Sequence, residues 1–161
     1  MAQEATEQVR RYLKEQGVEV EIRQFPQGTQ TAQQAAAALG TQVACIVKSL
    51  VFAADGQPVL VLCSGDRRVD VAKLARLCGA QAVAQADARL AKEWTGYAIG
   101  GVPPVAHPRR LRTFIDQHLL DHPQVFAAAG TGTAVFGIAS RTLAQVTGGE
   151  LADVTEEERS S

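Results

Sequence analysis

Residues 45–64 read CIVKSLVFAADGQPVLVLCS, and this stretch decides the class of fold. CIVKSLVFA is an apolar run of strand length, DGQP has the composition of a tight turn, and PVLVLCS is a second such run, so the three together predict an antiparallel hairpin. A hairpin excludes a purely parallel sheet. Lys48 interrupts the pattern, because strand alternation places it on the same face as Ile46, Leu50 and Phe52, which otherwise reads as a core face. Burying an ammonium without a partner is costly. Lys48 must therefore snorkel to a rim, meet a carboxylate, or await an anionic ligand in a cleft.

On the N-terminal side, Ala5, Val9, Tyr12 and Leu13 recur at helical spacing before Gly17. Val18, Val20 and Ile22 then alternate with charged residues, as in a half-exposed strand stopped at Pro26. Thr31 and Gln34 form a capping-box pattern ahead of AAAAL, and Gly40 supplies the stop. Beyond the hairpin, Asp70 is placed to cap VAKLARLC before Gly79, AQAVAQA reads as a short strand, and Asp87 caps a helix closed by Gly96. YAIGGVPPVAHP is a loop leaving a short strand. LRTFI, QVFAAA and TAVFGI read as strands, RTLAQV as a helix that Ser140 caps, and TEEERSS as a charged, frayed tail. The sum is about seven strands and about five short helices, a mixed sheet wrapped by helices.

At 161 residues the chain has the length of one domain, and 46% hydrophobic with 20% charged residues is a globular composition. A net charge of -1 provides no overall field to attract a polyanion, so any nucleic-acid contact must be local. No apolar run approaches membrane-spanning length and the polar start is not a secretory signal, so the expected location is the cytoplasm. Cys45, Cys63 and Cys78 are odd in number with no CxxC pair, and are expected to be small buried hydrophobes.

Outside Lys48, chemistry could come from several places. Gly100 and Gly101 permit close approach of a ligand to the backbone, while Pro103 and Pro104 stiffen the segment, so its N–H groups could be held ready for a carbonyl or phosphate oxygen; a plain tight turn is the alternative. Gly130, Thr131 and Gly132 could line the same cleft or form a hairpin turn. His107 follows the Pro-rich loop, where it either contacts a substrate or caps a turn. Arg109, Arg110 and Arg112 form, with His107, a basic stretch suited to nucleic-acid phosphates or simply to water. His118 and His122, near Asp116 and Asp121, are read as solvated surface, not as a metal pair, since Pro123 follows and no HExxH occurs. No serine sits in a GxSxG elbow, and neither GxGxxG nor a Walker lysine motif is present.

TAQQAAAALG, IVKSLVF, VLVLCSGDRRVDVAKLARLCGA, TGYAIGGVPPVAHP and FAAAGTGTAVFGI, in that order and spacing, resemble the YbaK/prolyl-tRNA synthetase-associated editing-domain family over about residues 29–147. The resemblance implies a mixed α/β fold, a partly barrel-like sheet surrounded by short helices, in a single domain over residues 1–161. It implies a trans-editing aminoacyl-tRNA deacylase that hydrolyses the ester of mischarged tRNA, above all tRNA(Pro) carrying Cys, Ala or another small amino acid. With no synthetase domains, the chain would act as a separate protein. By that likeness Lys48 is the family's strand lysine, Gly100–Pro104 its GxxxP loop and Gly130 its later glycine loop. Pro103 stands where the cysteine-editing branch commonly has Ser, and that branch lacks a His at the place of His107, which leaves the amino acid open.

The expected site therefore has Lys48, Gly100 and Gly101 as catalytic groups. Ser49, Val102, Pro103, Pro104, His107, Gly130, Thr131 and Gly132 are the expected substrate contacts, and Arg109, Arg110 and Arg112 the RNA contacts. Neither cofactor nor metal is called for. The expected partners are mischarged tRNA and prolyl-tRNA synthetase, with no role for DNA or a membrane. The rival readings are a noncatalytic module that binds tRNA or a synthetase, and a hydrolase or binder for a free aminoacyl nucleotide.

Overall fold

A computed structural model describes residues 2–157. Helix α1 (Ala2–Glu15) buries Val9 and Leu13 completely, each side chain contributing about 1.5–3 kcal/mol. Of the strand expected from Val18, only β1 (Ile22–Gln24) has a ladder partner; Val18 and Val20 keep the alternation by packing on the core without one. Helix α2 (Ala32–Leu39) starts at the capping box, with Thr31 Oγ1 accepting from the Gln34 N–H and Gln34 Oε1 accepting from the Thr31 N–H, and ends at a left-handed Gly40.

The hairpin forms as expected: β2 (Val47–Ala54) and β3 (Gln57–Ser64) pair antiparallel from Val47↔Ser64 to Ala54↔Gln57. Its turn needs positive φ at Asp55 (48°) and Gly56 (80°), and the Asp55 carboxylate accepts the N–H groups of Gln81 and Ala82. Those bonds fasten the turn to the segment leading into β4 (Val83–Gln85). Helices α3 (Val71–Cys78) and α4 (Ala88–Thr95) lie either side of β4, capped by Asp70 and Asp87. The chain continues through β5 (Arg112–Asp116), a 3-10 turn (Gln117–Asp121), β6 (Gln124–Ala128), β7 (Ala134–Ala139), α5 (Ser140–Thr147) and β8 (Glu150–Ala152).

The strands form two open sheets and not a partly barrel-like one. One has the order β1-β7-β6, all antiparallel; the other is β4-β2-β3-β5-β8, antiparallel up to β3 and parallel beyond it. A single bridge, Ile46↔Phe126, joins them at the start of β2. The principal core is built from α1, one face of the hairpin, β6, β7 and α5. A second core lies across the hairpin, where Phe52, Val59, Val61 and Cys63 meet Leu74 of α3 and Phe114 of β5.

Three local expectations are corrected. Ser140 is the first residue of α5 and caps nothing, because its N–H is held by the Pro123 carbonyl and its side chain is buried. The segment YAIGGVPPVAHP contains no strand. The tail is anchored through Thr155, which is fully buried and bridged to Val69, and through the Glu156 N–H on the Arg68 carbonyl; Glu158–Ser161 lie outside the described residues. Among the described residues no helix is long and apolar enough to cross a membrane.

Candidate active site

A cavity of about 370 Å³ opens beside the first half of β2, within the usual size range of small-ligand sites. Its apolar wall residues include the small Val47, Val51, Ala86 and Ala127 beside the larger Ile46 and Phe126. Lys48, Ser49, Gly100 and Val102 line it as well, so four of the expected site residues meet there. The start of α2 closes one side through Thr29–Gln33, where the helix's first N–H groups have no intrahelical acceptors.

Lys48 is half-buried and its ammonium donates to the Arg67 carbonyl. The ammonium thus meets a backbone carbonyl and not a protein carboxylate, while the residue itself lines the cavity. The loop that supplies this oxygen is held by the Arg67 side chain, whose Nε donates to Thr155 Oγ1 at 2.8 Å and lies 3.7 Å from the Asp116 carboxylate. Asp116 is fully buried and accepts from the Val154 N–H and from Thr155 Oγ1. Asp116 thus positions Arg67, and Arg67 positions Lys48. The residue across the ladder from Lys48 is Cys63, whose thiol burial pushes up to about 11 despite the nearby ammonium. It is neutral at ordinary pH and is no nucleophile. Cys63 is buried as expected, Cys78 is half-buried and packs against the second core, and Cys45 is half-buried.

The glycine loop divides its labour. Gly101 donates its N–H to the Ala98 carbonyl at 3.0 Å, and a Cβ there would come within 2.6 Å of the Thr131 backbone, so Gly101 is a packing glycine and not an oxyanion donor. Pro103 and Pro104 are buried and have no N–H. The donors remaining in the segment are Gly100 and Val102, the two that line the cavity. Gly130 and Gly132 also serve close packing. A Cβ on Gly130 would meet Ala5 and one on Gly132 would meet Gln30, and neither glycine lines the cavity. Gln30, flanked by Gly100 and Gly132, lines the cavity and carried no sequence signal beyond its place before the α2 cap.

His107 points elsewhere. Its Nε2 is 2.8 Å from the Pro103 carbonyl, which can only accept, so this nitrogen carries the proton and staples the Pro-rich loop. Its ring meets Tyr97 edge-on with centroids 6.2 Å apart, and burial pushes its pKa below the usual value while the Pro103 bond opposes that shift. The ring faces a different cleft, shared with Tyr12 and Tyr97. Arg109, Arg110 and Arg112 cluster around the hairpin turn beside Asp55 and Gln57. That is six residues along β2 from Lys48, about 20 Å at strand rise. Arg112 is further engaged by the Leu77 carbonyl and by Phe114, 4.9 Å from its guanidinium.

His118 and His122 do not act as a pair, and the neighbourhood of the first is not simply solvated surface. His118 Nδ1 lies 3.0 Å from Asp116, and Asp116, His118 and Asp153 converge within 4.8 Å. Their oxygens are already taken: Lys73 binds both oxygens of Asp153 at 3.0 Å, and Asp116 receives the donors described above. A cation there would have to displace two cationic side chains from their partners.

A mixed α/β scaffold with a cavity at a strand edge, lined by Gly100, Val102 and Lys48 among small apolar side chains, is suited to hold a small group that ends in polar oxygen. The chain belongs to the aminoacyl-tRNA editing domain family, whose model matches residues 26–146. It is 35% identical over 105 residues to the proline–tRNA ligase of Maridesulfovibrio salexigens, a match that covers 65% of this chain but only 18% of the ligase. It is 25% identical to the "Putative Cys-tRNA(Pro)/Cys-tRNA(Cys) deacylase EbsC" of Enterococcus faecalis, over 80% of this chain and 79% of that one. A solved structure described as "a putative trans-editing enzyme for prolyl tRNA synthetase" superposes with a TM-score of 0.89 at 40% identity, covering 95% of this chain and 98% of the other.

Proposed function

We propose that the chain is a trans-editing aminoacyl-tRNA deacylase, a single editing unit acting in the cytoplasm on tRNA(Pro) that carries Cys, Ala or another small amino acid. The observation that carries this reading is the meeting of Lys48, Gly100 and Val102 on one small apolar cavity in a member of the editing family.

The aminoacyl ester is reactive enough that positioning and charge stabilisation supply much of the rate. The N–H groups of Gly100 and Val102 polarise the scissile carbonyl. Lys48, fixed by the Arg67 carbonyl, meets an anionic or carbonyl oxygen at the terminal adenosine. The attacking group is a water ordered by the substrate's ribose hydroxyl or, for a cysteine ester, the substrate's own thiol, so no protein base is required. The size of the cavity limits the side chain admitted, but a methylene in an apolar pocket discriminates by only about 1–3 kcal/mol, and related small amino acids cross-react. Arg109 and Arg110 contact the tRNA body at a distance from the chemistry.

The test is release of free amino acid from cysteinyl-, alanyl-, seryl-, threonyl- and prolyl-tRNA(Pro). The reading requires turnover of at least one mischarged tRNA with the prolyl ester spared. Protection of every ester would favour a binding module, and equal hydrolysis of a short charged acceptor fragment would favour an aminoacyl-nucleotide hydrolase.

A further inference from the structure

Two observations meet at Ser49. The strand β2 is paired along its whole length with β3, but on its other side β4 covers only Phe52–Ala54 and the Ala86 N–H adds one bond to the Val51 carbonyl. At its start that side meets β6 at the Ile46↔Phe126 bridge. Between these points, along Lys48–Leu50, no strand of the described residues pairs with it.

The alternation of the ladder fixes which groups lie on this open edge. The Ile46 carbonyl accepts from Gly65 on the β3 side, and the Val51 carbonyl accepts from Ala86 on the opposite side. Ser49, in phase with Val51, therefore turns its N–H and C=O away from β3, toward the side where Ala86 and Phe126 wall the cavity. Its hydroxyl is the second observation. Ser49 Oγ is buried without a hydrogen-bond partner, and Ser49 lines the cavity together with Val47 and Val51, which strand alternation puts on the same face. A native protein rarely leaves such a group unsatisfied, and where it does the group calls for an explanation.

Resting on the deacylase reading, we infer that the aminoacyl group lies along the open edge of β2 as an added strand residue would, its α-ammonium on the Ser49 carbonyl. The Ser49 hydroxyl then selects a small side chain that carries its own hydroxyl or thiol over one that carries none. The strand edge supplies a contact common to every amino acid, and the hydroxyl supplies the discrimination. Backbone addition to a sheet edge divides affinity from specificity in the same way in peptide recognition.

The experiment compares the wild-type chain with Ser49→Ala on seryl-, cysteinyl- and alanyl-tRNA(Pro), and on 3-hydroxypropionyl-tRNA(Pro), the deaminated counterpart of the seryl ester. The wild type should favour the seryl or cysteinyl ester over the alanyl ester by about 3- to 10-fold in kcat/KM, and Ser49→Ala should bring that ratio close to one. Its Tm should not fall, because the substitution removes an unsatisfied group. The deaminated ester, which has hydrogen in place of the α-ammonium and so no N–H donor, should show a higher KM for the wild type and the variant alike. A preference for alanyl, a ratio that survives the substitution, or a clear fall in Tm would overturn the role of the hydroxyl. Unchanged KM for the deaminated ester would overturn the edge contact. Hydrolysis with an unaltered ratio sinks this inference alone, whereas no hydrolysis of any ester sinks the deacylase reading and this inference together.

Discussion

Replacing Lys48 by Met removes one ammonium while keeping most of its stem, and its two consequences separate cleanly. The structural one is loss of the hydrogen bond to the Arg67 carbonyl. A hydrogen bond to a charged group is worth about 1.5–3 kcal/mol at most, and the half-exposed position of Lys48 puts it at the lower end. At about 2–4 °C per kcal/mol for a domain of this size, Tm should fall by roughly 3–6 °C and the chain should stay folded. The functional consequence is loss of the cation that holds the substrate's terminal adenosine in place, and a misplacement of about 1 Å in the ester costs about 10²-fold in rate. The assay is single-turnover release of labelled amino acid from mischarged tRNA(Pro), with Tm measured on the same preparations. Equal rates for variant and wild type would refute the role of Lys48. A fall in Tm beyond about 10 °C would show the ammonium to be chiefly structural.

Asp116→Ala strips the buried acceptor from Val154, Thr155 and His118 and leaves Arg67 without its carboxylate, so denaturant unfolding should show a loss of about 3–5 kcal/mol. Gly101→Ala drives a methyl to within 2.6 Å of the Thr131 backbone and should cost about 1–3 kcal/mol, read as a lower Tm. Burial lowers the pKa of His107 in the folded chain, so below the unfolded value near 6.5 the unfolded state binds more protons and stability declines. Tm should therefore drop from pH 7 to pH 5, and His107→Gln should flatten that drop; parallel profiles would contradict the assignment. Reversing the charge of Arg109 and Arg110 should raise KM for charged tRNA and weaken its salt dependence, while unchanged kinetics would remove them from the RNA surface.

Local signals carried much of the fold. The Thr31–Gln34 capping box, the Asp70 and Asp87 caps, the left-handed glycines ending α2, α3 and α4, and the DGQP turn are all decided within a few residues of chain, and each stands where expected. Strand β8 was not foreseen, because Glu150–Ala152 is a strand only by virtue of its parallel pairing with β5, a partner more than thirty residues away. The two open sheets were hidden for the same reason, since which strand pairs with which is a long-range choice.

The site was legible in part. Lys48 stood out as a charge on an apolar face, and Gly100 and Val102 were found through their loop. The tasks of Gly101, Gly130 and Gly132 were not legible, because a glycine that receives a neighbour's backbone and one that receives a ligand look alike in sequence. His107 was misplaced because its ring turns back on Pro103, a matter of side-chain rotation. Asp116 read as part of a histidine-rich surface, and only burial shows it to be the support beneath Arg67 and Lys48.

The most direct test of where the chemistry takes place is an amide NMR titration of the chain with a nonhydrolysable aminoacyl-adenosine analogue. Saturable shifts confined to Lys48, Ser49, Gly100, Val102 and the start of α2 are predicted. Shifts centred instead on His107 and Arg109–Arg112, with the β2 edge unmoved, would contradict it.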